Sequence, residues 1–258
     1  HVIILRRVSC PVKLDHHIQL LKNRKTRVTK KDLKKKYGEG KEAVIALTKE
    51  YPEVMEAYRK KKRKSASPPM DHLDIALSDG TSPPDWEKLL EQVITLPKGK
   101  KDATNYENAV EQLLTALFYP ALIDPIVQHK LHEGRKRIDI TYSNVSTTGF
   151  FHWLSLHHRA SHVFVECKNY TSDVANPELD QLSGRFSPLR CQFGLLVCRS
   201  FDQKTLFTKR CIDTAKDGRG FIIPLDDSDL TLLVNERKKE WKRPRFESLK
   251  SKFDALVM

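Results

Sequence analysis

The sequence lacks any apolar run of the roughly twenty residues that a transmembrane helix needs, and its 258 residues include only five cysteines. The cysteines are odd in number and widely spaced, with no C-x-x-C pair. This pattern argues against a disulfide framework and favours a reduced, intracellular setting. We therefore predict a soluble, cytoplasmic protein with no membrane partner.

An initiator methionine is also missing, because the chain begins at His1. A short apolar piece precedes Arg6-Arg7, which is the reverse of the order in a signal peptide. We expect further sequence upstream, with a further domain there. The chain itself is long enough for one sizeable core plus an appendage, or for two small domains.

Acidic residues are too few to balance the basic ones, since 33 Asp and Glu stand against 46 Lys and Arg and give a net charge of +13. The excess lies in two regions: residues 22–64 hold seventeen basic and six acidic residues, and residues 237–252 hold eight and two. Clustered basic charge attracts polyanions through counterion release, and nucleic acid is the commonest target. A solvated helical face that only keeps the protein soluble is the alternative.

Apolar spacing and turn residues predict the organisation of the chain. Residues 14–64 have a helical pattern, whereas residues 65–84 are rich in Pro, Ser and Gly and indicate a linker. From residue 102 onward, helical stripes alternate with apolar runs of strand length, which predicts a central mixed sheet flanked by helices. The predicted divisions are a basic helical module (1–66), a linker with a short helix (67–100), an α/β core (101–225) and a basic C-terminal helical extension (226–258).

Two predicted strands carry charged residues inside runs that otherwise indicate burial. Asp139 lies in Arg137-Ile138-Asp139-Ile140-Thr141, and Glu166 and Lys168 share one face of the next strand, because side chains alternate with period two. Carboxylate and ammonium groups inside a sheet are costly unless they pair, bind a cation or face a cleft. An Asp, a Glu and a Lys on adjacent strands form a site that can hold a hard metal ion and activate water. The pattern therefore favours a phosphodiesterase.

Magnesium is the ion that this residue set suits, because Mg²⁺ prefers oxygen ligands and keeps several waters. Asp139 and Glu166 supply carboxylates, and the backbone carbonyl of Cys167 could supply a third oxygen. Such an ion stabilises charge on the scissile phosphate and lowers the pKa of the attacking water. Lys168 would orient that water or balance the charge of the phosphorane.

One further carboxylate is expected from the helix that begins near Thr104. Glu107 and Glu111 lie one turn apart on it, and either could contact a second metal or a water. We favour Glu107, because it neighbours Tyr106 at the start of the apolar stripe.

The order helix Tyr106-Glu107, strand Asp139, strand Glu166-x-Lys168 resembles the restriction-endonuclease-like superfamily with the PD-(D/E)xK motif, and looks closest to its Mrr-like branch. A Gln on the following helix often joins the site in that family, and Gln181 has the corresponding position here. The resemblance covers residues 104–197, under half of the chain. It departs from the family pattern at Ile138, where Pro is usual, and by an inserted helix between the two strands.

This resemblance implies a restriction-endonuclease-like core and a Mg²⁺-dependent DNA endonuclease in which Mn²⁺ substitutes. It also implies a homo-oligomer, because many such nucleases assemble to cut both strands, and a role in restriction or anti-phage defence by analogy of fold. The implied catalytic residues are Asp139, Glu166, Lys168, Gln181 and Glu107, and the implied metal ligands are Asp139, Glu166, Cys167 and Glu107.

Other interpretations stay open. The same fold could form a catalytically inactive nucleic-acid-binding module or an RNA-directed nuclease, or the charged strands could be structural ion pairs in an assembly protein. Gln181 could be an ordinary helix-surface residue. Arg185 and Lys168-Asn169-Tyr170 could contact phosphates or cap the end of the sheet. The histidines at 157, 158 and 162 lack regular zinc-ligand spacing, which favours satisfied surface or loop histidines.

Overall fold

The computed structural model describes residues 19–20, 26–27, 29–64, 69–131, 133, 136–240 and 244–258. The chain divides into two compact units, His1–Pro68 and Pro69–Met258. We refer to them as the N-terminal unit and the sheet unit. No helix in the described ranges is long and apolar enough to cross a membrane.

The N-terminal unit contains a two-residue strand pair followed by short helices. Its elements are β1 (Gln19–Leu20), antiparallel to β2 (Thr26–Arg27), and then α1 (Lys30–Tyr37), α2 (Lys41–Glu50) and α3 (Pro52–Lys64). Thr29 caps α1 by accepting the Asp32 amide, and Gly38 ends it with a φ of 81° that glycine adopts without strain. The predicted helical pattern is correct from Lys30 onward and wrong at β1 and β2, and the other residues between 14 and 28 lie outside the described part of the chain.

The sheet unit is an α/β fold. Its strands are β3 (Leu122–Leu131), β4 (Lys136–Asn144), β5 (His162–Lys168), β6 (Phe193–Cys198) and β7 (Phe221–Leu225), in spatial order β3-β4-β5-β6-β7. The first three pair antiparallel and the last three parallel, so the prediction of a mixed sheet flanked by helices is confirmed. The helices are α4 (His72–Asp79), α5 (Trp86–Ile94), α6 (Ala103–Phe118), α7 (Gly149–His157), α8 (Asn176–Ser183), α9 (Lys204–Lys216), α10 (Asp227–Lys239) and α11 (Glu247–Val257).

Helix α4 lies inside the segment that we expected to be an irregular linker. Asp71 forms a capping box with Asp74 at its start, and Gly80 ends it in the left-handed conformation. The prolines and serines on both sides favoured an irregular segment, and the prediction gave these two helix-capping signals too little weight. The linker prediction for residues 65–84 is therefore wrong over α4.

The two C-terminal helices complete the hydrophobic core of the sheet unit. Phe253 of α11 packs against Phe150, Phe193 and Phe221, and the apolar residues of α10 are buried in the same cluster. Much of the C-terminal basic charge is used inside this unit. Arg237 is fully buried with its guanidinium over the Trp86 ring. Among the described residues of this region, ion pairs join Lys238 with Glu87, Arg245 with Glu240, Lys250 with Asp254, and Lys252 with Asp229.

Asp226 lies between the end of β7 and the start of α10, and it caps the N-terminus of that helix. Its side chain accepts the backbone amides of Ser228 and Asp229 at 3.1 Å, and Lys204 donates to it at 2.7 Å. Burial alone would raise the pKa of Asp226, but the hydrogen bonds from Lys204, Ser228 and the Asp229 amide outweigh burial and lower the pKa to about 2.

We predict that Asp226→Ala lowers the free energy of unfolding at neutral pH by about 1–2 kcal/mol, as expected for a lost helix cap. Because the folded-state pKa lies below the unfolded value of 3.8, the carboxylate stabilises the fold above that pH. The difference from the wild type should shrink as the pH falls from 3.8 toward 2. Urea denaturation across this range measures it, with exposed Asp217→Ala as the control. A difference that does not change with pH would contradict the account.

Candidate active site

Strands β4 and β5 separate at the position of the two predicted carboxylates. Their antiparallel ladder ends at the pair Ile140–Val165, and Asp139 and Glu166 are the next residues on either side. Residues that face each other across antiparallel strands project to the same face of the sheet. The inserted helix α7 does not keep the two strands apart, so both carboxylates lie where the sheet opens.

Asp139 bridges this opening. Its side chain is 8% exposed, and its Oδ2 accepts the backbone N–H of Cys167 at 2.9 Å. A side-chain oxygen therefore takes the amide that the ladder no longer uses, which fixes the position of the carboxylate. Among the described residues, Oδ1 of Asp139 has no hydrogen-bond or ion-pair partner, so this oxygen can accept a ligand.

Glu166 is completely buried between two basic side chains. The Lys168 ammonium donates to its Oε1 at 2.7 Å, and Arg185 Nη1 lies 3.2 Å from its Oε2. Lys168 also donates to Oε1 of Gln181 at 3.2 Å, and Arg185 donates to the Gln181 carbonyl at 2.9 Å. These contacts tie β5 to α8. The structure thus brings the predicted Glu166, Lys168 and Gln181 into one network.

The ionisation of this network follows from burial and from charge. Burial raises the pKa of Glu166, and the nearby charge of Asp139 raises it further, while Lys168 and Arg185 act in the opposite direction. Burial alone would lower the pKa of Lys168, but the Glu166 carboxylate outweighs burial and raises it. Lys168 therefore stays an ammonium at neutral pH. As an ammonium it can donate hydrogen bonds and balance negative charge.

Glu107 reaches the same place from α6. It is 9% exposed and accepts a hydrogen bond from the Gln128 side chain. Burial raises the pKa of Glu107, and the charge of Asp139 adds to this effect. Glu111 has other contacts, because its carboxylate accepts the Thr115 hydroxyl at 2.7 Å. Glu107, rather than Glu111, is therefore the helix carboxylate that belongs to the site with Asp139.

Two contributors to the site were not in the predicted set. Gln128 lies opposite Asp139, between the pairs Val127–Ile140 and His129–Ile138, and its φ of 54° is unusual for a non-glycine residue. No sequence signal marks this position, because it depends on strand register. Arg185 was an open candidate for a phosphate contact or a sheet cap, and its four-residue spacing from Gln181 was the available signal.

The site provides hard oxygen donors in a crowded, buried region. Within the described ranges, no group of three or more His, Cys, Asp and Glu side chains is arranged to hold a metal ion. Oε2 of Glu166 is buried without a hydrogen bond, although Arg185 is near. Burial raises the pKa of the Cys167 thiol well above its usual value, which disfavours a thiolate ligand. The donors fit a largely hydrated Mg²⁺ held by one or two carboxylates, not a cage made of protein ligands.

Comparisons of the chain with protein-family models, with curated proteins and with solved structures give no match.

Neutralising Asp139 should stabilise the metal-free protein. Asp139→Asn keeps an oxygen acceptor for the Cys167 amide but removes a charge that raises the pKa of Glu166 and Glu107. We expect the melting temperature in EDTA to rise by about 2–4 °C, which corresponds to about 1 kcal/mol in a chain of this size. Millimolar Mn²⁺ should raise the melting temperature of the wild type and leave that of the variant unchanged.

Calorimetric melts with and without Mn²⁺ measure both effects. Glu111→Gln is the matched control. It also removes one carboxylate charge, here from α6, and it keeps a side-chain acceptor for Thr115. An equal Mn²⁺ response of the wild type and Asp139→Asn would contradict the assignment of the carboxylate.

Proposed function

We propose that the chain is a metal-dependent DNA endonuclease whose sheet unit is a restriction-endonuclease-like core. The observation that carries the proposal is the network at the opening of β4 and β5, in which buried Glu166 lies beside Asp139 and Lys168 donates to both Glu166 and Gln181. Two acids can hold a divalent ion and an ammonium can balance charge at a phosphate, which is a combination suited to metal-assisted phosphodiester hydrolysis. The proposed reaction is in-line attack of water on a backbone phosphate.

The proposed cofactor is Mg²⁺, with Mn²⁺ as a substitute, held by Asp139 and Glu166 with the Cys167 carbonyl as a further oxygen. When bound, the ion supplies charge stabilisation at the phosphate and lowers the pKa of the attacking water. Oδ1 of Asp139 is the carboxylate oxygen available for this role, because Oδ2 is engaged by the Cys167 amide.

Lys168 has the role of a cation that holds the nucleophile and balances developing charge. In the metal-free protein the Glu166 carboxylate outweighs burial and raises its pKa, so the side chain is an ammonium that can donate to a water or a phosphate oxygen. Gln181 orients the ammonium through its Oε1. Arg185 holds the second oxygen of Glu166 and thereby limits the rotation of that carboxylate.

Glu107 is the proposed supporting acid. Gln128 donates a hydrogen bond to its carboxyl group, and burial and the charge of Asp139 raise its pKa. From this position it could hold a reacting water in place. The N-terminal unit would act as a basic helical module that holds DNA, because residues 22–64 carry seventeen Lys and Arg. The proposal extends to a homo-oligomeric effector of restriction or anti-phage defence by analogy of fold only.

A reducing, cytoplasmic setting is part of the same proposal. The cysteines that the structure describes, at 167, 191, 198 and 211, are free thiols. Burial raises the pKa of each thiol. Protonated, buried thiols behave as small apolar side chains.

A catalytically inactive binding module is the second candidate, and one observation favours it. Lys168 and Arg185 already compensate the charge of Glu166, so this one carboxylate needs no metal for its own charge balance. Such a module would bind nucleic acid with a steep salt dependence and leave it intact.

We predict that Asp139→Ala and Lys168→Ala each reduce cleavage at least a hundredfold, the order expected when one charge-stabilising group is removed. DNA binding should change little, because neither side chain belongs to the basic surface. Conversion of supercoiled plasmid to open circles in Mg²⁺ measures cleavage, and anisotropy in EDTA measures binding. Glu111→Gln should cut like the wild type.

Wild-type rates in both Ala variants would overturn the site assignment. Binding without any metal-dependent nicking by the wild type would instead support the inactive module. Faster cleavage of RNA than of DNA, offered at equal concentration, would support the RNA-directed alternative.

A further inference from the structure

A short lysine-rich loop lies between α5 and α6, beside the candidate active site. Residues 96–102 have the sequence Leu-Pro-Lys-Gly-Lys-Lys-Asp, and we call them the lysine loop. Lys98, Lys100 and Lys101 are exposed. The loop leads directly into α6, which carries Glu107 on its second turn.

Asn169 anchors the lysine loop to the end of β5. Its Nδ2 donates to the carbonyls of Pro97 at 2.9 Å and Gly99 at 3.0 Å, and its own carbonyl accepts the Gly99 N–H at 2.9 Å. Asn169 follows Lys168 immediately and is only 3% exposed. Gly99 has a φ of 127°, which a residue with a side chain would adopt only with strain. The loop is therefore fixed one residue away from the network of Glu166 and Lys168.

Arg199 provides a second anchor from the neighbouring strand. It follows β6 and is 7% exposed, and its guanidinium donates to the carbonyls of Leu96 and, at 2.7 Å, of Ile94. Asp227 holds the same guanidinium at 3.0 Å. Surface loops are usually the mobile parts of a fold. Here, two buried polar side chains hold three carbonyls of the loop and the carbonyl of Ile94 just before it, which restrains the loop.

The lysines of this loop are not neutralised in the way that the C-terminal basic residues are. Among the residues that the structure describes, Lys100 and Lys101 have no ion pair, and Lys98 donates to the Ser200 hydroxyl at 2.9 Å. Asp102, the residue before α6, is the one acidic residue of the lysine loop, so the loop has three basic side chains and one acidic side chain. Burial raises the pKa of Asp227, and Lys98 lies close enough to that carboxyl to act in the opposite direction. Lys100 and Lys101 are therefore the least compensated cations of the loop, and they lie on a segment anchored next to a candidate phosphodiester site.

We propose that Lys98, Lys100 and Lys101 bind the backbone phosphates of the nucleic-acid strand that enters the active site, and that Asn169 sets their distance from it. The identity of the ligand rests on the proposed nuclease function. Because the loop is already ordered, binding a phosphate costs less conformational entropy than binding by a mobile arm. The lysines contact phosphates without reading bases, so they contribute affinity and register rather than sequence preference.

The test uses the full chain with Asp139→Asn, in EDTA, so that no cleavage occurs. Anisotropy of a labelled duplex DNA gives the dissociation constant at several salt concentrations. Lys100→Ala with Lys101→Ala should reduce the slope of log K against log salt by about 2, because each lost phosphate contact contributes about 0.9. Lys209→Ala with Lys216→Ala, two exposed lysines of α9, removes the same charge and should leave the slope unchanged.

A second variant tests the anchor without a change of charge. Asn169→Ala should weaken binding about threefold to tenfold, the equivalent of ordering one or two side chains. The salt slope should stay at the wild-type value, because every lysine remains. A melting temperature near that of the parent shows that the fold is kept.

An unchanged slope in the loop variant, a slope reduced equally by the α9 pair, or no binding of DNA by the parent chain would each overturn the proposal. Unchanged affinity of Asn169→Ala would overturn the role of the anchor. Failure of the nuclease proposal has a separate signature. If the parent chain binds DNA through the lysine loop but the wild type never nicks plasmid, the phosphate-binding proposal stands and the nuclease proposal fails.

Discussion

The burial of the Glu166 carboxylate is the constraint on which the rest of the site depends. A charged group with no solvent exposure must be compensated, and Lys168 and Arg185 supply opposite charge on either side of it. Asp139 works against this compensation, because its charge raises the pKa of Glu166. The region therefore holds excess negative charge that a divalent cation would relieve. Stability alone would favour apolar residues here, which is why we interpret the cluster as functional.

The opening between β4 and β5 gives this cluster its geometry. The ladder stops at Ile140–Val165, and Asp139 and Glu166 are the first residues beyond it. Asp139 accepts the backbone N–H of Cys167 across the opening. On the neighbouring strand β3, Gln128 donates a hydrogen bond to Glu107. The anchors of the lysine loop follow β5 and β6 directly. The proposed catalytic and phosphate-binding groups thus share one edge of the sheet, where the parallel strands end.

Much of the fold was predictable because local patterns determine it. Apolar runs located the strands, and period two put Glu166 and Lys168 on one face, as their shared hydrogen bond requires. Features that depend on pairing between distant segments were not predictable. Gln128 meets Asp139 only through the β3–β4 register, and the basic residues near the C-terminus find acids such as Glu87 and Asp229 far along the chain. Net charge by region therefore overstated how much positive charge this end offers to a partner.

The central claim is that Asp139 and Glu166 share one divalent ion. A crystal structure with Mn²⁺, using its anomalous signal, tests this most directly. The account predicts a peak about 2.0–2.3 Å from Oδ1 of Asp139 and within reach of a Glu166 oxygen, with waters completing the coordination. It also predicts no such peak in Asp139→Asn. An absence of Mn²⁺ at saturating concentration, with Glu166 still held only by Lys168 and Arg185, would contradict the claim.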